Sequence, residues 1–465
     1  MKSTFLKESF FSLPREALFA FHERPDAFTL LTPLSRDIEV LSTASTLKPS
    51  ADVVRFIASF LFLKFRFEMV HTDYEPPKRF VDQQQKGLFS SWRHEHRFID
   101  GGWRGDPATL LSDRIDFSHP LLPLFVPFVR HRLGSLFEYR HQKTREAVNQ
   151  LSDGQAFSNA TVVVTGATGL IGKRISEILV EKGARVIAFC RNVARAERLL
   201  GPKVRVVEWD FTRPDPEAYK SHLEQADAVI HLAGTPLFKQ RWTTAFKRDI
   251  RESRVSSTRL LVDTINASKK RPAVFVSASA VGIYGTDPNR VCDEDSPPAE
   301  DILAEVCTAW ESEVKRLDSA GVRTVQIRIG IVLDSRSGAL KEMLPLFRSG
   351  MGGTLGLPDP WVNWIHLEDV ARIFLMAAGS ADLKGPYNAV APQPVTNRDF
   401  ARILAKVLRR PLLGVYPGPL LKLMIGDAAD YASGGSKISS EKIRRAGYRF
   451  FFEDLASALN NAIRV

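Results

Sequence analysis

Hydrophobic and polar positions follow three different rhythms along this chain. In KFRFEMVHTDY, Phe65, Phe67 and Met69 recur at every second residue, the period of a half-buried strand. HEHRFIDGGWRGD followed by TLLSDRIDFS reads as strands about the Gly101–Gly102 turn. From Leu124 the apolar positions become Phe125, Phe128, Val129, Leu133, Leu136 and Phe137, the spacing of one helix face. Residues 1–150 are therefore expected to form an α+β domain, an antiparallel sheet closed by a long helix. The polar, turn-rich SDGQAFSN from Ser152 to Asn159 reads as a linker over residues 151–160.

Beyond Thr161 the rhythm changes to strand, glycine-rich turn, helix, strand. TVVVTG, ARVIAFC, VRVVEW, ADAVIHLAG, AVFVSAS and TVQIRIGIVL are β-branched runs separated by helical stretches. Such alternation predicts an α/β fold with a doubly wound parallel sheet of Rossmann type, over residues 161–410. After about Gly350 the pattern loosens, and residues 411–465 are expected to supply a small C-terminal, substrate-side domain.

A length of 465 residues suits two or three domains. Apolar content of 44% and charged content of 25% exclude wholesale disorder. The net charge of +11 would suit anionic partners, but the basic residues are scattered and carry no nucleic-acid motif. A small-molecule substrate is expected, and no nucleic acid. Cys190, Cys292 and Cys307 are too few and too far apart for a disulfide framework. The first residues are broken by Glu8, Pro14, Arg15 and Glu16, and FIASFLFLKF is cut by Lys64. Neither a signal-peptide core nor a membrane span is expected, and the protein reads as cytoplasmic.

The chemistry concentrates at TGATGLIG. Gly166 permits a tight turn, Gly169 lets backbone approach a pyrophosphate, and Gly172 lets the next helix pack on the sheet. Thr168, Leu170 and Ile171 complete that turn, whose helix N-terminus offers free N–H groups to phosphate. An acid ending the second strand would grip the ribose of NAD. Here FCRN places Arg191 there, which can pair with a 2′-phosphate, so NADP(H) is expected in preference to NAD(H). Asp210 is placed either to meet the adenine amino group or to cap a helix. In HLAG, Leu232, Ala233 and Gly234 are small enough around the strand end for the cofactor to pass. Ser253, Ser277 and Ala278 are assigned to the same cofactor side.

TGATGLIG, HLAG, SASAVGIYG and WIH together resemble the extended short-chain dehydrogenase/reductases. RW at Arg241, SR at Ser253, CTAWE at Cys307 and AP-x-PVTN at Ala391 resemble one subgroup, the YfcH-like or epimerase-family proteins. The likeness runs from about Thr161 to the end, where RRPLLGVYP and SSEKIRRAGYRF resemble that subgroup's C-terminal domain. Its usual Gly-Glu is Gly426–Asp427 here. FVDQQ at Phe80, WRHEHRF at Trp92 and LSDRIDFSHP resemble the START-like, polyketide-cyclase (SRPBCC) superfamily. That resemblance implies a helix-grip cup for an apolar ligand.

The resemblance also implies a Ser/Thr–Tyr–Lys proton relay, and this sequence lacks it. Ungapped matching puts Ala280, Leu303 and Cys307 at the three positions. Tyr284 and Ser279 are the replacement proton donors to be considered, each equally readable as turn packing or a strand-end hydrogen bonder. Three functions are compatible: a reductase or epimerase-like enzyme with a displaced donor, a cofactor-binding sensor, and a scaffold. Arg254 suits either an anionic substrate or a surface ion pair, and Trp361, Trp364 and His366 either a substrate side or core. Asp369 reads as a helix N-cap for VARIFLMAA. His94 and His96 share a strand face, but no third ligand has suitable spacing. They are read as cavity lining or solvent face, and no metal is expected.

Overall fold

The computed structural model describes residues 2–33, 38–49, 52–60, 63–103, 106–118, 122–149, 157–237, 242–355, 360–416 and 435–464. Most of the expected linker, together with Arg241, Gly426 and Asp427, lies outside the described residues. Two compact units emerge, Met1–Gln155 and Ala156–Val465.

The first unit is one antiparallel sheet of seven strands: β1 (Lys2–Phe11), β2 (Ile38–Ser42), β3 (Val54–Phe60), β4 (Leu63–Glu75), β5 (Arg79–Lys86), β6 (Ser91–Trp103) and β7 (Asp106–Ser118). Their order is β1-β7-β6-β5-β4-β3-β2, so the first strand pairs with the last. Two short helices, α1 (Arg15–His22) and α2 (Ala27–Leu30), follow β1, and the long α3 (Leu122–Asn149) follows β7. The predicted apolar stripe does its work: Val129, Leu133 and Phe137 of α3 pack with Ile115 and Phe117 of β7. Gly101 and Gly102 are not the hairpin turn that was expected. They lie inside β6, opposite Ala108 and Pro107, where Gly102 adopts φ +82° and a side chain would strike the Asp106 carbonyl.

The second unit is a parallel, doubly wound sheet. Its first four strands are β8 (Thr161–Thr165), β9 (Arg185–Cys190), β10 (Val204–Glu208) and β11 (Ala228–His231), joined through α4 (Leu170–Glu181), α5 (Val193–Leu200) and α6 (Pro216–Gln225). Helix α7 (Thr244–Asn266) leads to β12 (Val274–Ala280), then a bridge strand β13 (Val291–Cys292), α8 (Ile302–Lys315) and β14 (Arg323–Ile329). Further along come β15 (Ile331–Leu333), α9 (Gly338–Arg348), β16 (Thr354–Leu355), β17 (Trp361–Val362), β18 (Trp364–His366), α10 (Leu367–Gly379) and β19 (Gly385–Ala389). The main sheet runs β10-β9-β8-β11-β12-β14-β19. Apolar residues of α6, α7 and α8 cover one face around Val163, Val229 and Phe275.

The region after Gly350 is more ordered than its pattern implied. GPYNA becomes the seventh strand of the sheet, and α10 is buried along nearly its whole length. Glu368, Asp369 and Arg372 interrupt its apolar run but are buried as well, through partners that include Arg174 and the Phe451 N–H from distant segments. Val291–Cys292 pairs with Lys437–Ile438, tying the C-terminal segment back to the sheet end.

Candidate functional site at the sheet edge

Thr165 ends β8, and the chain reverses at Gly166 with φ +66°. A Cβ there would lie 2.8 Å from the Leu232 carbonyl, so only glycine lets the β8 and β11 ends approach this closely. At Gly172 a Cβ would meet the Gly166 oxygen at 2.3 Å, so the third glycine seats α4 against the turn. Gly169 is the N-cap of α4, in extended conformation and with no side chain over the helix end. The first N–H to bond back along α4 is that of Lys173, to Gly169 at 2.9 Å. Ahead of it, Leu170, Ile171 and Gly172 present the N–H groups that a helix start leaves unpaired.

A buried relay holds the neighbouring strand end. Burial keeps the His231 imidazole at about 3, hence neutral near pH 7. Its Nδ1 lies 2.7 Å from Thr165 Oγ1 and its Nε2 2.9 Å from Thr258 Oγ1. Thr165 Oγ1 in turn accepts the backbone N–H groups of Leu232 at 3.1 Å and Ala233 at 3.2 Å. The small-residue exit of β11 is thus fixed by hydrogen bonds rather than packing.

Arg191 projects from the C-terminal end of β9, exposed, beside Asn192, which caps α5. Among the described residues it has no ion-pair partner. Asp210 follows β10 and accepts from the Thr212 N–H at 3.0 Å and hydroxyl at 2.8 Å. That is a local turn, not a helix cap; Asp215 occupies the N-cap of α6.

Ser253 is buried; its hydroxyl accepts the Thr235 N–H at 3.1 Å and so ties the loop after β11 to α7. Arg254 is anchored through its Nη atoms to the carbonyls of Ile250 and Thr235, each at 3.1 Å, and lies over the Trp310 ring. Among the described residues it forms no ion pair. Its charge sits against Gly234, where an added Cβ would lie 3.3 Å from the guanidinium carbon.

At the end of β12, Ser277 donates to the Ala278 carbonyl and Ser279 donates to Glu311 Oε1 at 2.6 Å. Glu311 forms a two-point pair with Arg328, both contacts 2.9 Å, and Arg328 Nη1 also donates to the Tyr284 hydroxyl at 2.8 Å. Tyr284 donates onward to Asn388 Oδ1 at 2.7 Å. The whole network is buried, with Tyr284 only 1% exposed. Burial raises the phenol above its ordinary value, with Arg328 opposing. Both hydroxyls considered as proton donors are therefore spent on internal partners, and neither faces solvent. Leu303 packs under Gly282, and the buried Cys307 thiol is pushed up to about 12 by burial and by Glu311.

Trp364 and His366 are both buried. The Trp364 indole N–H bonds the Gln393 carbonyl, and His366 Nδ1 accepts the Glu368 N–H as the actual N-cap of α10. Trp361 is half-buried and donates to the Pro288 carbonyl. Asp369 lies in the first turn of α10 and instead receives the N–H groups of Phe451 at 2.9 Å and Phe452 at 3.3 Å and the Tyr448 hydroxyl. In the first unit, His94 and His96 are both buried, which removes the solvent-facing reading. They also acquire a third donor that spacing could not reveal, Asp82 from the next strand.

The Glu311–Arg328 pair and the Arg174–Glu368 pair, 2.7 Å, that ties α4 to α10 escaped sequence reasoning. The available signal was an arginine inside the buried run TVQIRIG, since a charge rarely enters such a strand unpaired.

Residues 162–390 match the NAD dependent epimerase/dehydratase family, and residues 416–462 match a domain of unknown function, DUF1731. The chain is 36% identical over 314 residues to the chloroplastic epimerase family protein SDR39U1 homolog of Arabidopsis thaliana, covering 88% of that protein. The chain belongs to the epimerase family. A second member, YfhF of Bacillus subtilis, is 33% identical over 303 residues, which are 65% of this chain and 97% of YfhF. The crystal structure of human epimerase family protein SDR39U1 with NADPH superposes with a TM-score of 0.59 and 29% identity, over 66% of this chain and 100% of that one. A nucleoside-diphosphate sugar epimerase of Corynebacterium glutamicum superposes at 0.56 with 26% identity, over 98% of this chain and 90% of that one. The family's shared region is the second unit, and the likeness to the last protein extends into the first unit as well.

Proposed function

We propose that the second unit binds NADP(H) and acts as an oxidoreductase or epimerase-like protein on a small carbonyl or hydroxyl substrate. The observation that carries this is the glycine cradle, in which a Cβ at Gly166 or Gly172 would fill the turn, joined to an exposed Arg191 that has no ion-pair partner among the described residues. Gly166, Thr168, Gly169 and the N–H groups of Leu170, Ile171 and Gly172 would take the pyrophosphate. Arg191 would take the 2′-phosphate and Asp210 the adenine edge. Leu232, Ala233, Gly234, Ser277 and Ala278 would border the nicotinamide half, with Ser253 holding their loop. Bound there, the nicotinamide supplies hydride chemistry. Arg254, which has no carboxylate partner among the described residues, would face an anionic group of the substrate.

A second reading, a cofactor-binding sensor of weak or no turnover, is favoured by one observation: the Tyr284, Ser279 and Cys307 protons are all sequestered. For the first unit, the β1-β7 closure and the long α3 support a START-like helix-grip domain that holds an apolar ligand.

Titration of NADPH and NADH into wild type and Arg191→Ala tests the cofactor reading. Wild type is expected to prefer NADPH, and the variant to lose about 1.5–3 kcal/mol of that preference. Equal wild-type affinities would refute it. NADPH oxidation in a screen of carbonyl compounds then separates the enzyme from the sensor.

A further inference from the structure

The interior of the first unit holds a constellation that the nucleotide site does not use: His71, Asp82, His94, His96, Asp113 and His141. Register explains how they meet. His71 of β4 is opposite Asp82 of β5, Asp82 is opposite His94 of β6, and His96 is opposite Asp113 of β7. Directly opposed residues, and residues two apart, share a sheet face. That face looks onto α3, from which His141 reaches Asp113.

Asp82 Oδ2 lies 3.2 Å from His96 Nε2 and 3.6 Å from His94 Nδ1, and the two imidazole rings are 3.8 Å apart. An ion with bonds of ~2.0–2.1 Å in tetrahedral geometry separates its donors by ~3.3 Å. The rear of each ring meets one carboxylate: His94 Nε2 is 3.2 Å and His96 Nδ1 2.5 Å from Asp113 Oδ1. Asp113 Oδ2 is held by His141 Nε2 at 2.6 Å, and His141 Nδ1 by Ser9 at 2.8 Å. A carboxylate behind each histidine is how ligand tautomer and ring angle are set in metal sites. His71 Nδ1 lies 2.5 Å from Asp82 Oδ1, so Asp82 is oriented from the β4 side as Asp113 orients the two rings.

We propose that Asp82, His94 and His96 form a binding site for a divalent transition-metal ion of the zinc class, with Asp113 and His71 positioning the ligands. Two imidazoles and one carboxylate select such an ion over calcium or magnesium. Three protein donors leave a position for water or an oxygen-bearing ligand.

The untagged full-length chain, stripped with chelator, is titrated with Zn²⁺ against a chromophoric competitor and, separately, with Co²⁺. One equivalent of Zn²⁺ is expected, with a tetrahedral-type Co²⁺ absorption and no thiolate charge-transfer band. His96→Gln and Asp82→Asn should weaken binding by more than ~100-fold, and Asp113→Asn by ~10–100-fold, with NADPH binding by the second unit unchanged. No tight equivalent in wild type, a thiolate band, or equal affinity in all the variants overturns the site in favour of an ion-free His–Asp network. Should a variant fail to fold, the wild-type stoichiometry and cobalt spectrum decide alone.

Discussion

At the scale of single residues, the second unit places charge where it can be checked. Arg328 enters a buried strand because Glu311 meets it at two points and Tyr284 and the Glu294 carbonyl take the two N–H groups of its Nη1. Removing one member leaves the others short of partners in a dry core, which costs more than the bond itself contributed. Tyr284→Phe is therefore expected to lower stability by about 1–3 kcal/mol in urea unfolding while leaving NADPH affinity intact. If Tyr284 were instead the proton donor of a turnover reaction, the same variant would lose rate and keep its stability. The sequence pointed at Tyr284 through its position after β12. It could not show that the hydroxyl turns inward, because that depends on Asn388, which is 104 residues away along the chain.

At the scale of elements, α10 is the hub of the second unit. Arg174 and Arg372 converge on Glu368, whose carboxyl they hold at about 2 against burial. One residue on, Asp369 anchors the C-terminal segment through Phe451, Phe452 and Tyr448. Burial pushes the Asp369 carboxyl up to about 7, against the pull of those donors. A carboxyl raised above its unfolded value of ~3.9 stabilises the fold most when protonated. Its contribution is fully present below that value and is lost as pH rises through about 7. Asp369→Asn, which cannot ionise, should be the less stable form at pH ~5 and should close the gap as the pH approaches ~8. Paired urea titrations at the two pH values read this directly, and a gap that widens with pH would reverse the sign assigned here.

At the scale of the molecule, the chain divides into two units built on different sheets, one antiparallel and one parallel. YfhF matches over 97% of its own length with only 65% of this chain, so in that relative the epimerase region stands almost alone. A piece comprising residues 156–465 is accordingly expected to fold cooperatively and bind NADPH with wild-type affinity. A piece comprising residues 1–155 should show its own cooperative unfolding transition. Calorimetry on the two pieces and the whole chain checks both. A large loss of NADPH affinity in the 156–465 piece would overturn that expectation.

What the sequence determined by itself was whatever local pattern controls. β-branched runs punctuated by glycine specified the parallel sheet up to β14, and TGATGLIG specified its turn, because φ +66° at Gly166 and the 2.3 Å approach at Gly172 admit no other residue. Alternation at Phe65, Phe67 and Met69 and the stripe through Val129, Leu133 and Phe137 likewise sufficed for a sheet backed by a helix. Tertiary structure alone decided the rest. Whether Trp364 and His366 line a pocket or fill a core depends on segments that close over them from far along the chain. His94 and His96 looked like two ligands without a third because donors in a sheet are collected across strands, at register positions that no spacing along one strand encodes.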